Sequence, residues 1–348
     1  MLNNNEIDEL KEHLERAQNP LFYFDNDQDG LCGYLLLRRF YKKGYGVPVK
    51  TSPLGKEYFS KTDEINPDYI FILDQPRVSD EFFSLSKEKN IPVVWVDHHE
   101  SDKEKIPREV YYYNPLFSDG NSEPVTKICY EVTRNKSDLW ILIAGCLADK
   151  FFPKEYENFM KDYPELCIKS TEPFEIFYFS EIGKISRMMG AGLKDRTSLV
   201  KKMIKFLVNV KTPYEVLEEN PENLSFHRRF EVIDKKMNVL YQKAKKKSSP
   251  GKLLFFRYSG EISMSADLSN KLNFAFPKKL IVVAFLKGAR VNVSIRGKDA
   301  RDIVEKALEN IPLATHGGHK DAVGAQMNED QLDLFEENLG KILEDKKD

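Results

Sequence analysis

The chain has 348 residues, 41% of them hydrophobic and 31% charged, with a formal net charge of −2. This length suits about two domains, and the balance excludes a largely disordered chain. The longest apolar run, 139–148, is ten residues, against the ~18 that a membrane-spanning helix needs. The first residues, MLNNNEIDELKEH, are polar and acidic, unlike a signal or transit peptide, so a cytoplasmic protein away from membranes is expected.

The first part alternates strand and helix patterns. Leu21-Phe22-Tyr23-Phe24 is an apolar run closed by an Asp/Gly turn, and apolar Leu31, Tyr34, Leu35, Leu37 and Tyr41 then keep a helical period. Strand-like 69–73, a helix through Phe82, Phe83 and Leu85, and strand-like 93–96 follow. Continuous apolar strands separated by helices predict a parallel sheet covered on both faces. Residues 184–247 read as helical, and Lys245 to Gly251 ends in Ser, Pro and Gly, which suits a domain junction. Strands are expected at 253–257, 280–286 and 289–295, a helix at 300–308, a glycine-rich loop at 317–318 and a closing helix at 329–343. The fold class is therefore α/β: an N-terminal parallel-sheet domain over 1–183, a helical connector over 184–252, and a smaller C-terminal α/β domain over 253–348.

The net charge of these three segments is −11, +10 and −1. The near-neutral total conceals a basic middle, and such asymmetry usually has a partner. The four cysteines, Cys32, Cys129, Cys146 and Cys167, form no CxxC pair, so they are expected to be reduced packing residues rather than zinc ligands. His13 and His227 belong to no motif and are expected to be surface or packing residues.

Three strands end in aspartate: Asp25, Asp74 and Asp97. In open α/β sheets the active residues lie past the carboxyl ends of the strands. Asp25, Asp27 and Asp29 alternate before Gly30, as in a calcium loop. Position twelve is Leu36 rather than a bidentate Glu, however, and an apolar strand precedes the loop. Asp97-His98-His99 follows the third strand, and Asp149 ends the apolar run 139–148. Each aspartate alone could cap a helix. Together they place like charges at one sheet edge, which requires a counter-charge. Oxygen-rich ligation with some imidazole suits Mn²⁺ or Mg²⁺, and a pair of such ions can activate water against phosphorus.

These motifs resemble the DHH phosphoesterases of the RecJ-like branch. DNDQDG (25–30), Asp74, VDHH (96–99) and AGCLAD (144–149) match four ordered motifs, over roughly residues 20–150. VSIRG (293–297) and GGHKDAVG (317–324) look like the associated DHHA1 domain. The resemblance implies that Asp27, Asp29, Asp74, His98 and Asp149 hold two Mn²⁺ ions (Mg²⁺ being the other option), with Asp74 bridging. His99 would contact the scissile phosphate, and Asp97 beside it counts as catalytic. Many relatives carry a histidine in the first motif, where this chain offers Tyr23 and Asp25; Asp25 is the substitute ligand. Ser294, Arg296, Gly317, Gly318 and His319 would bind the substrate phosphate. The two-residue period of 289–295 places Asn292, Ser294 and Arg296 on one face.

The basic connector carries Lys194, Arg196, Lys201, Lys202, Lys205, Arg228, Arg229, Lys235, Lys236 and Lys243 to Lys247. A polyanion would use this as a track from the metal domain to the phosphate-binding domain, lying in the cleft between them. The expected activity is a Mn²⁺-dependent exonuclease on single-stranded DNA or RNA, most like archaeal RecJ-like nucleases, with a helicase or replisome component as a further partner. The alternatives are a hydrolase of short oligoribonucleotides, nucleotide phosphates or cyclic dinucleotides, and a non-catalytic binding subunit of the replication fork.

Overall fold

A computed structural model describes residues 1–345. Five parallel strands, β1 (Pro20–Asp25), β2 (Tyr45–Val49), β3 (Tyr69–Leu73), β4 (Val93–Val96) and β5 (Tyr111–Tyr113), form one sheet in the order β2-β1-β3-β4-β5. Successive side chains serve opposite faces. Phe22, Phe24, Phe71, Leu73, Val94 and Val96 join one core, while Leu21, Tyr23, Ile70, Ile72, Val93 and Trp95 join another. Both faces are therefore apolar, which is why these strands read as continuous hydrophobic runs. The chain leaves β1 toward β2 on one side and then returns to β3 on the other. The carboxyl ends of β1 and β3 thus flank a topological switch point, where such sheets bind ligands.

Strands β2 and β5 escape the sequence pattern because they are short edge strands. β2 carries Gly46 and Pro48, residues that strand interiors reject and edges tolerate.

The second sheet contains β6 (Leu253–Ser259), β7 (Leu280–Lys287), β8 (Arg290–Arg296), β9 (Thr315–His319) and β10 (Ala322–Asn328), in the order β6-β7-β8-β10-β9. Only the β6–β7 pair is parallel. Val291, Val293 and Ile295 enter a core with the helices Ala300–Leu308 and Leu332–Asp345. The helix Ser265–Ala275 packs against β7 and β8.

The glycines at 317–318 do not form the expected loop. They lie in β9, an edge strand paired with β10. Gly318 has φ of 134°, and a Cβ there would collide with the Ala322 carbonyl, so this strand needs glycine where propensity argues against a strand.

The chain divides into two compact units, Met1–Phe230 and Glu231–Asp348, and the division falls inside the helix Leu224–Lys247. Ile185, Met188, Met189, Val200, Met203 and Phe226, from the basic stretch, belong to the core of the first unit. Cys32, Cys129 and Cys146 are buried, Cys167 is half-buried, and all are free thiols. Among the described residues no helix is long and apolar enough to cross a membrane.

Candidate metal centre

Backbone geometry brings the acidic residues to the switch point. β1 ends at Asp25, and Asp27 caps the following helix, Gln28–Tyr41, its Oδ1 accepting the Gly30 N–H at 3.0 Å. Any Cβ at position 30 would strike the Asp25 backbone, so Gly30 permits the tight return from strand to helix. Asp29 is wholly buried at the amino end of the helix Val125–Thr133. It accepts N–H bonds from Val125 and Thr126, each at 2.7 Å, which complements that end's positive dipole. Asp74 directly follows β3 with φ of 61°, a conformation that a short polar side chain tolerates. Asp97, His98 and His99 follow β4, and Asp149 caps the carboxyl end of the helix Leu139–Ala148.

Three ligand groups result: Asp25/Asp27/Asp74, Asp74/His98/His99 and Asp29/His98/Asp149. Within each, the ligand atoms lie within 4.8 Å of one another. Asp74 and His98 are each shared by two groups, so all six expected metal ligands and His99 form one cluster. Asp97 stands behind it. Its Oδ1 accepts from His99 Nδ1 at 2.7 Å and its Oδ2 from the Tyr112 hydroxyl at 3.3 Å. Tyr23, the other residue offered at the first motif, is turned away into the opposite core. Its hydroxyl bonds the Tyr58 carbonyl and Thr62 Oγ1, both at 2.9 Å.

Two features test whether a cation fits. Asp74 Oδ1 is buried without a hydrogen-bond partner, a costly state for a carboxylate oxygen. Ser122 Oγ donates to the His98 carbonyl at 3.0 Å, so it receives the Nδ1–H of His98 at 3.1 Å. That hydrogen bond orients the ring so that Nε2 faces Asp74 Oδ1 (3.3 Å), Asp149 Oδ2 (3.4 Å) and Asp29 Oδ2 (4.0 Å). Three carboxylates converging on one ring nitrogen require positive charge among them. Burial, and then the Asp27 charge, push Asp25 and Asp29 up to about 7. Burial followed by the neighbouring carboxylates holds Asp74 and Asp149 well above the usual range. Divalent cations relieve both penalties. The all-oxygen group Asp25/Asp27/Asp74 and the mixed group Asp29/His98/Asp149 suit hard ions such as Mg²⁺ and Mn²⁺.

Sequence reasoning missed the residues that hold these ligands. Gln75, fully buried, donates from Nε2 to Asp25 Oδ1 at 2.8 Å, and its backbone carbonyl accepts from Trp95 Nε1 at 3.0 Å. Its place immediately after Asp74 was the available signal. Ser122 comes from a loop that carries no sequence signal.

In the second unit, Ser294 Oγ donates to Ser265 Oγ at 2.9 Å, and Arg296 Nε donates to Asn270 Oδ1 at 2.7 Å. Both therefore face the helix Ser265–Ala275, opposite the core face. Arg296 Nη1 reaches the Val323 carbonyl at 3.4 Å, and Val323 pairs with Gly318. Arg296 thus sits one strand from the glycines. Burial pulls its pKa down to about 10, which leaves it a cation near neutrality. The backbone of His319 ends β9; its side chain lies outside what is described. Outside both clusters, His13 is buried against Tyr111, with ring centres 4.1 Å apart. His227 Nε2 bonds the Val216 carbonyl at 2.9 Å.

A parallel sheet with an aspartate- and histidine-lined switch point, together with a mixed second sheet, defines the RecJ-like DHH/DHHA1 fold. The chain superimposes on RecJ from Thermus thermophilus in complex with Mn²⁺ with a TM-score of 0.70 at 14% identity. That match covers 99% of this chain but only 55% of the Thermus chain. A second solved structure, exonuclease RecJ bound to manganese, gives a TM-score of 0.67 at 14% identity, covering 100% of this chain and 96% of the other. The pGpG-specific phosphodiesterase PggH of Vibrio cholerae gives 0.53 at 13% identity, covering 95% and 100%. No family model matches the chain, and no curated protein is similar to it in sequence.

Proposed function

We propose that the chain is a divalent-metal-dependent phosphodiesterase, an exonuclease that shortens single-stranded DNA or RNA. The observation that carries this reading is the seven-residue cluster at the switch point, with every expected ligand gathered there. A binding subunit without catalysis has no use for so much buried like charge. Asp25, Asp27 and Asp74 would hold one ion, and Asp29, His98 and Asp149 the other, with Asp74 between them. Bound there, such ions supply Lewis-acid stabilisation of phosphoryl oxygens and a more acidic water.

The protein's own groups have definite tasks in this reading. Asp97 fixes the His99 ring through Nδ1. Burial lowers the His99 pKa, but the bond and charge of Asp97 outweigh that and raise it, so the imidazolium would donate from Nε2 to a phosphate oxygen. Gln75 orients Asp25, and Ser122 orients the His98 ring. In the second unit Arg296, Ser294 and the Gly317–His319 strand would hold a substrate phosphate, the guanidinium by paired N–H bonds. Lys201, Lys202 and Lys205 are exposed on the helix Thr197–Asn209, and Lys235, Lys236 and Lys243 are basic residues further on. Cations in this number suit a polyanion rather than a mononucleotide. Mn²⁺ is the expected ion, since the RecJ structures above hold it.

The likeness to PggH favours one second reading, hydrolysis of short oligoribonucleotides. Strands of two to twenty nucleotides, in DNA and RNA, labelled separately at each end and incubated with Mn²⁺ or Mg²⁺, separate the readings. The exonuclease reading predicts stepwise shortening from one end, faster on the longer strands. Equal or faster turnover of a dinucleotide would replace it with the second reading, and no turnover with either ion would remove both.

A further inference from the structure

The second unit carries a groove of about 430 Å³, and no residue expected to hold metal or phosphate lines it. One wall is the helix Leu224–Lys247, through Val232, Val239 and Leu240. The other is the end of β6 and the loop after it, through Tyr258, Ile262 and Met264. The helix already buries one stripe, with Ile233 and Met237 four positions apart. Val232 and Val239 form a second stripe beside it, seven positions apart, and they are 46% and 49% exposed. Valine is doubly unfavourable on an exposed helix face. Its branched side chain loses rotamer freedom there, and its apolar surface stays in water. Single apolar residues on a surface are ordinary, but these two share one groove with Leu240 and Ile262.

The groove is preformed. The Met264 N–H donates to the Tyr258 hydroxyl at 2.6 Å, and Lys287 Nζ donates to the Glu261 carbonyl at 3.4 Å. These bonds tie the loop wall to β6 and β7, so an occupant need not order it. The lining is also charged, and the balance is basic. Lys235 and Lys236, both exposed on the same helix, stand against one carboxylate, Glu261, and Lys287 brings a third cation to the loop.

We propose that this groove docks an acidic amphipathic segment of a partner protein. Its apolar side chains would seat on Val232, Val239 and Ile262, and its carboxylates would face Lys235 and Lys236. The volume falls in the ~300–1,000 Å³ range of binding pockets. An apolar floor with a basic rim is the complement of an amphipathic helix that carries Asp or Glu beside its apolar face. A nucleic-acid strand fits less well: its phosphates would meet the lysines, but Tyr258 is the one ring in the lining and is 8% exposed, which leaves no face for stacking. A second copy of the chain also fits less well, because a two-fold contact here would bring two basic rims together. The docking surface stands apart from the nuclease reading, since it concerns binding and not turnover.

The test selects displayed random peptides of about 16 residues on the full-length protein and, in parallel, on Val232→Ser with Val239→Ser. Peptides enriched on wild type and lost on the variant should combine two or three apolar residues at helical spacing with Asp or Glu. The best of them, synthesised with a fluorescent label, should bind the serine variant at least about 10-fold more weakly. Lys235→Glu with Lys236→Glu should weaken it about 5- to 50-fold at low salt, and this loss should shrink in high salt. Both valines are exposed, so the serine variant should melt close to wild type; Val239→Ser alone, with a smaller loss of affinity, covers the case in which it does not. Failure to enrich any peptide that distinguishes wild type from variant overturns the proposal, as does a consensus that is basic or lacks acidic residues. Displacement of the peptide by a thymidine 12-mer would assign the groove to nucleic acid instead. A wild-type dimer that the serine variant breaks would assign it to a second copy.

Discussion

Replacing Asp74 by asparagine should make the metal-free protein more stable and the loaded protein inactive. Asp74 is 2% exposed, and its Oδ1 has no hydrogen-bond partner. Its ligand oxygen lies within 4.8 Å of those of Asp25 and Asp27. At an effective dielectric of ~20, two charges at that separation repel by roughly 3 kcal/mol. Proton uptake caps the penalty, because burial already pushes Asp25 and Asp29 up to about 7. A net relief of about 2–4 kcal/mol follows for the charge-free variant above neutral pH. In a unit of the size of Met1–Phe230, that should raise Tm by about 5–15 °C. The sign with pH follows from carboxyl pKa values that are higher in the folded than in the unfolded chain. The metal-free wild type gains stability as pH falls below about 7, so the advantage of the variant should be present at about pH 8 and shrink at about pH 5. Thermal melting in chelator and in Mn²⁺ at both pH values is the assay. Wild type should gain Tm with Mn²⁺ by mass action, and Asp74→Asn should gain little. Its turnover should be lower by about 100- to 10,000-fold. A variant that melts below wild type in chelator, yet keeps the full Mn²⁺ shift, would refute the reasoning.

Gln75→Ala removes the donor that orients Asp25 and should weaken Mn²⁺ binding about 10- to 100-fold, read from the midpoint of a metal titration; an unchanged midpoint would mean that Gln75 only packs. Arg296→Lys places an amine where burial already lowers even a guanidinium to about 10. Strand affinity of this variant should fall as pH rises above ~8 while wild type stays level, and parallel pH profiles would exclude Arg296 from phosphate binding. Arg39 bonds the buried Asp138 at 2.6 Å and the carbonyls of Leu207, Val208 and Val210. Arg39→Ala strands that carboxylate and should cost about 3–5 kcal/mol, visible as a Tm lower by about 10 °C or more.

What could be read from sequence, and what could not, follows from how each residue earns its place. The strands β1, β3 and β4 are legible because both faces are buried, so nearly every position must be apolar. Their terminal aspartates are legible because a carboxylate ending such a run contradicts its surroundings, and several such contradictions in order identify a site. The edge strands β2, β5 and β9 carry no such constraint: one side of their backbone is unpaired, and glycine or proline costs them little. β9 reads as a loop because Gly317 and Gly318 mark turns more often than strands.

The residues that orient the ligands are the least legible of all. Gln75 and Ser122 are ordinary polar residues, and only the fold places one 2.8 Å from Asp25 and the other 3.1 Å from His98. Their effect is to aim the ligands. Ser122 holds His98 at Nδ1, so the ring meets Asp74 and Asp149 with Nε2, and Gln75 holds one oxygen of Asp25, which is grouped with Asp27 and Asp74. A proton on His98 Nε2 would offset only one of the five carboxylate charges in the cluster, so the site still calls for divalent cations.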